Sequence, residues 1–191
     1  MSQEQIHELI ADPDYPGLTF ADEALFDFLF QRSLKPLQGQ GDVFNMIASD
    51  EGVNPATVQF PDLVSFTPGF CCFGSNAWAC LSEDLNLEGE TVRLLYPECG
   101  RDDNFIMFQP TEFDVLDFER STVHRFSTQP YRVRWVDDLV LRNVCAGIPD
   151  IFRVEHLSTR LFCTESCRRT VIAHKLRGFL FQEVPVSDRK K

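Results

Sequence analysis

The stretch PDIFRVEHLSTRLFCTESCRRTVIAHKLRGFLFQEV, residues 149–184, decides the fold. Ile151-Phe152-Arg153-Val154 is a short β-favouring run, and Arg160-Leu161-Phe162-Cys163 is a second. Thr164 stands where an N-cap belongs, with a hydroxyl able to accept an amide hydrogen of the first helical turn. From there Cys167, Val171, Ile172 and Leu176 recur at helical spacing, so one face is apolar while Glu165, Arg168, Arg169 and Lys175 face water. Gly178 follows the last periodic residue, where a left-handed cap needs no Cβ. Phe179 to Val184 then closes as a strand. The order strand, strand, capped helix, strand predicts an α+β module.

Working outward, Pro61-Asp62-Leu63-Val64 opens a weaker copy of the same order. Leu63–Phe66 and Phe70–Phe73 are predicted strands around a Thr67-Pro68-Gly69 turn, and Ser75 is placed to cap a helix holding Trp78, Ala79 and Leu81. Thr91–Tyr96 follows as a strand. Between the copies lie short runs at Phe105–Phe108, Thr122–Phe126, Tyr131–Trp135 and Leu139–Arg142, the last three read as sequential, mainly antiparallel strands with one polar face. Ahead of them, residues 2–10 are predicted as a short helix with Ile6, Leu9 and Ile10 on one side. After a turn at residues 12–17, Thr19 is a candidate cap for a second helix carrying Ala24, Leu25, Phe28 and Leu29. Residues 38–42 read as a loop. The expected class is α+β: a mixed, mostly antiparallel sheet, two capped helices in a quasi-repeated strand-helix-strand arrangement, and a helical N-terminal region. Residues 1–57 form that region, packed on a main domain of residues 58–191.

Bulk properties narrow the function. At 191 residues, 43% of them hydrophobic and 18 of them Phe, the chain can bury a substantial core. A net charge of −11 repels phosphate, which argues against nucleic acid and anionic membranes as partners. Such acidity keeps a protein soluble, and it would also suit a basic protein partner. The polar start and the lack of a long apolar run predict neither a signal peptide nor a membrane anchor. Seven irregularly spaced cysteines fit reduced thiols in a cytoplasm rather than a disulfide framework.

Several residues resemble, in order and type, the immunity proteins of bacterial polymorphic toxin systems numbered eleven in their classification. They are the segment from Pro61-Asp62-Leu63-Val64 through Ser75 to Tyr96 and the Leu116-Asp117-Phe118-Glu119-Arg120-Ser121 turn. Ile151-Phe152-Arg153, Leu161-Phe162-Cys163-Thr164 and Gly178-Phe179-Leu180-Phe181-Gln182-Glu183-Val184 complete the set, spanning about residues 58–185. The resemblance implies a non-catalytic cytoplasmic protein that binds and neutralises a cognate toxin. An adaptor or chaperone for a secreted effector is the alternative, and a small-substrate enzyme a more distant one.

Cys163 and Cys167 could share a helix face, with Cys71, Cys72, Cys80 and Cys99 completing a metal set, but no CxxC knuckle occurs and His156 and His174 lack standard ligand offsets. Buried structural thiols are therefore expected, and no cofactor. Ser75, His124 and Asp117 can be named as a nucleophile, base and acid, yet there is no G-x-S-x-G elbow, phosphate loop or H-E-x-x-H pair. Asp117, Glu119 and Ser121 are expected to order a turn. Candidate partner-binding residues are Glu98, Asp102 and Asp103 in an acidic loop, together with Arg153, for which pairing with a carboxylate is the plainer role.

Overall fold

The computed structural model describes residues 5–21, 43–49, 54, 57–97, 103–143 and 147–187. They form strands β1 (Ile6–Ala11), β2 (Leu18–Phe20), β3 (Val43–Ala48), β4 (Leu63–Val64), β5 (Cys71–Gly74), β6 (Gly89–Tyr96), β7 (Asp103–Pro110) and β8 (Glu112–Phe113). The rest are β9 (Val123–Arg125), β10 (Val133–Val136), β11 (Leu141–Arg142), β12 (Ile151–Val154), β13 (Leu161–Thr164), β14 (Phe179–Val184) and β15 (Val186–Ser187). Among the described residues only two helices occur, α1 (Ser75–Asp84) and α2 (Glu165–Ala173).

This corrects the expected fold class. The protein is mostly β and is built from several sheets, and its N-terminal region contributes strands where helices were expected. Ile6 and Leu9, three apart, suggested one helical face. As residues of a strand they point to opposite sides, Ile6 into one core cluster and Leu9 into another. Thr19, expected as a cap, lies in β2 between buried Leu18 and Phe20. Ser75 is not a cap either: Gly74 occupies the N-cap of α1 with no side-chain bond, and the Ser75 hydroxyl donates to the Asn104 carbonyl at 2.8 Å. The helix expected over Leu25 and Phe28 and the loop at 38–42 lie outside the described residues.

Two sheets carry the fold, a six-stranded one in the order β2-β3-β6-β7-β5-β4 and a five-stranded one in the order β14-β1-β13-β12-β8. Four strands of each match, with β4, β5, β7 and β6 corresponding to β12, β13, β1 and β14, while β2, β3 and β8 have no counterpart. The register agrees as well: Gly74 faces Phe105 and Phe105 faces Leu94, just as Thr164 faces Ile6 and Ile6 faces Val184. The amide of Thr111 donates to the Glu88 carbonyl, and that of Asp12 to the Gly178 carbonyl. The weak copy seen at Pro61 and Pro149 thus corresponds to two halves, the second completed by the N-terminal strand. The buried residues of the helices also correspond, Ala77 and Leu81 in α1 with Cys167 and Val171 in α2.

Strand alternation feeds three cores. Cys71 and Phe73 of β5 and Cys163 of β13 join the helices in a cluster shared by the halves. Cys72 and Met107 line the far side of the larger sheet, while Phe152 and Phe162 line that of the smaller one. Burial on both faces explains why Ile151–Val154 reads as a continuous run and is fully buried.

Thr164 does cap α2, accepting from the Cys167 amide at 3.3 Å. The helix stops earlier than Gly178. Lys175 takes the left-handed conformation (φ 56°), with Lys175 N–H donating to Ile172 and Leu176 N–H to Val171, both at 3.1 Å. Gly178 (φ +84°) instead serves a close approach, since a Cβ there would stand 2.4 Å from the Leu63 carbonyl oxygen. A lysine in this conformation carries a backbone cost that glycine lacks. Lys175→Gly is expected to stabilise the protein by about 1 kcal/mol, read as a higher urea midpoint at unchanged m-value.

Candidate functional site

The L-D-x-E-x-S turn, Leu116–Ser121, leads into an exposed hairpin. The Asp117 carboxylate accepts from the amides of Glu119 (3.1 Å) and Arg120 (3.2 Å), and the Ser121 amide returns to the Asp117 carbonyl at 2.9 Å. Partial burial works against ionisation of Asp117, but hydrogen bonds from the Ser187 hydroxyl and those two amides outweigh it and hold the carboxyl below its ordinary range. The Ser121 hydroxyl donates to the Val140 carbonyl at 3.1 Å and accepts from the Val140 amide at 3.0 Å. The expected turn is therefore present, and it clamps the two ends of the hairpin that follows.

That hairpin is β9–β10, a two-stranded sheet of its own. Val123, Val133 and Val136 turn inward against the third core cluster. A register shift between Val133 and Trp135 sets Trp135 opposite His124, so that Arg134 and Trp135 are both exposed in succession. The His124 ring stacks on Trp135 at 4.6 Å, and the Arg134 guanidinium lies 4.5 Å from the Trp135 ring centroid. Arg132 and Arg134 both approach Phe126, and Arg125 covers Phe118 at 5.1 Å. Trp135, Phe126 and Phe118 are exposed, and Tyr131, at 70% exposure, protrudes furthest of the described large hydrophobic side chains.

The residues singled out from the sequence fall elsewhere. Glu98 and Asp102 lie outside the described residues, and Asp103 begins β7 opposite Tyr96. Arg153 is buried in β12, its Nε donating to the Pro110 carbonyl at 2.9 Å and a terminal nitrogen 3.4 Å from Glu112. Pairing with a carboxylate is the role the structure gives it, tying β12 to the β7–β8 connection. Ser75, His124 and Asp117 share no hydrogen bond with one another: Ser75 bonds to Asn104, and His124 pairs with Asp137 at 2.7 Å.

Burial raises the Cys71 thiol well above its ordinary value, with the neighbouring Cys167 and Cys72 adding to the effect. Burial likewise raises Cys72. Cys163 is raised first by its hydrogen bond with Cys167 and then by burial. Thiols held this way stay protonated and are poor nucleophiles. Among the described residues no three His, Cys, Asp or Glu side chains gather as a metal-binding group, and Cys99 lies outside them. An open cleft of about 420 Å³ between Phe60 and Arg177 holds two charged side chains, Asp62 and Arg177; the Asp62 carboxylate accepts from the Arg177 amide at 2.7 Å.

The hairpin displays arginine and aromatic side chains on an exposed face. Residues 107–186 match a family model described as Immunity protein family (Imm11), in keeping with the resemblance drawn from the residues above. The matched span takes in the clamped turn, the hairpin and β12, β13, α2 and β14 of the second half, but not its N-terminal strand β1. No curated protein matches the chain.

Proposed function

We propose that this protein is an immunity protein that binds and neutralises a cognate bacterial toxin domain in the cytoplasm, without catalysis of its own. The observation that carries the reading is the family match over residues 107–186, which includes the exposed hairpin. The remaining geometry supports it. Ser75, His124 and Asp117 are each engaged in separate structural bonds, and the buried thiols are held protonated. Neutralisation by binding needs an outer face held in place, and the paired sheets support one here.

The reading predicts a gene for a large modular toxin beside this chain's own, and the test is co-expression with the C-terminal domain of that toxin. Cells producing both proteins are expected to grow, cells producing the toxin domain alone to die, and the purified pair to co-elute. An adaptor or chaperone would bind the same domain and leave its toxicity intact. Co-elution without rescue of growth therefore sinks the proposal.

A further inference from the structure

The hairpin stands out from the rest of the chain in charge. The protein carries 29 Asp and Glu against 18 Lys and Arg, yet from Thr122 to Val136 there are three arginines, one histidine and no acidic residue. Six other described arginines, Arg142, Arg153, Arg160, Arg168, Arg169 and Arg177, each pair with a carboxylate. Arg125, Arg132 and Arg134 do not. Arg125 donates to the Pro130 carbonyl and Arg132 to the Gln129 side-chain oxygen, and among the described residues none of the three forms an ion pair with a carboxylate, the neighbouring Asp137 bonding His124 instead.

Each guanidinium is instead held over an aromatic ring, which fixes its plane without satisfying its charge. Preorganised arginine and exposed Trp and Tyr are the side chains that dominate binding energy at protein interfaces. The bulge at Val133–Trp135 has one consequence for the fold: it turns Arg134 and Trp135 outward together. An isolated two-stranded ribbon is also a poor stabiliser of a core, so its exposed face is not explained by packing.

Building on the immunity reading, we infer that the β9–β10 hairpin is the toxin-docking element, and that it enters a carboxylate-lined groove on the toxin domain with Trp135 and Tyr131 as anchors. The complementarity is local and opposite in sign to the chain's overall charge. Single-stranded nucleic acid would also stack on such rings, but the field of the remaining surface opposes it.

The test uses the full-length protein and the toxin domain encoded beside its gene, with affinity measured by titration calorimetry. Arg134→Glu with Trp135→Ala is expected to weaken binding by about 100-fold or more and to abolish protection. Ile172→Ser, at an exposed position on α2, is expected to leave both unchanged. Surface changes of this kind move Tm by only about 2 °C, so folding of the double variant is checked by its melting curve. A toxin variant with one groove carboxylate replaced by arginine should regain affinity for Arg134→Glu. If the wild type binds and the double variant binds equally well, the hairpin assignment is wrong and the immunity reading stands. If the wild type itself fails to bind or protect, both fall. Tight binding of the wild type to a labelled single-stranded oligoribonucleotide, lost in the double variant, would overturn the assignment in favour of nucleic acid.

Discussion

Deleting residues 1–11 is expected to leave a chain that does not fold and is recovered as aggregate. β1 lies between β13 and β14, paired through four residues on one side and six on the other. Its loss removes Ile6, His7 and Leu9, all buried, and the Glu8–Arg160 pair, in which Arg160 Nε donates to Glu8 at 2.7 Å. Glu165 loses its bond to His7 at 2.8 Å. Two large apolar side chains alone account for about 4–8 kcal/mol, against a total domain stability of about 5–15 kcal/mol. The deletion also exposes the facing edges of β13 and β14, which invites intermolecular pairing. Residues 58–191 alone are expected to behave the same way. Soluble expression with a sharp, cooperative melt near that of the intact chain would show that β1 is dispensable.

The N-terminal strand also marks where sequence reasoning failed. Six residues with apolar side chains at Ile6, Leu9 and Ile10 cannot by themselves reveal whether they form one face of a helix or a strand between two others, because the deciding contacts are some 150 residues away. Strands flanked by clear turns were legible: the predicted runs at 70–73, 91–96, 105–108 and 122–126 overlap β5, β6, β7 and β9. The Thr164 cap was legible because a cap is a local bond. Ser75 looked equally suitable, but its hydroxyl found a carbonyl across the sheet, a partner no local pattern encodes. Leu139–Arg142, expected to continue an antiparallel series, instead pairs in parallel with β15 at the far end of the chain.

For the candidate site, a net charge of −11 points to carboxylates, and of the acidic candidates Glu98 and Asp102 lie outside the described residues. The signal that was available is the run Arg125-Phe126 to Tyr131-Arg132-Val133-Arg134-Trp135, cationic and aromatic with no acid among it. Its significance depends on exposure, and the bulge that exposes Trp135 is a register event invisible in one strand alone. Arg153 takes the plainer of its two expected roles, pairing with Glu112. Alternation cannot show that both faces of β12 are covered, as they are here.

The second large effect is expected at Asp150. Its carboxylate accepts from the Thr164 hydroxyl and from the Asn86 amide at 2.9 Å, while its own amide donates to the Asn86 carbonyl at 2.8 Å. Asp62 holds the matching place in the other half: its carboxylate accepts from the Arg177 amide at 2.7 Å and its amide donates to the Arg177 carbonyl at 3.0 Å. Each half thus grips the chain leaving the opposite helix, and the two aspartates close the shared core reciprocally. Asp150 carries the greater burden, because Thr164 is buried and its hydroxyl is also the cap of α2. Asp150→Ala strands that hydroxyl and the Asn86 amide together, for an expected loss of about 2–4 kcal/mol. Asp62→Ala, which frees one amide beside an open cleft, should cost about 1–2 kcal/mol. Because both residues close one interface, the double variant should depart from additivity by more than about 0.5 kcal/mol. Urea unfolding of the two single variants and the double measures all three quantities. If Asp150→Ala lies within about 0.5 kcal/mol of the parent, or the losses simply add, the halves are held by their apolar core alone and the paired aspartates are incidental.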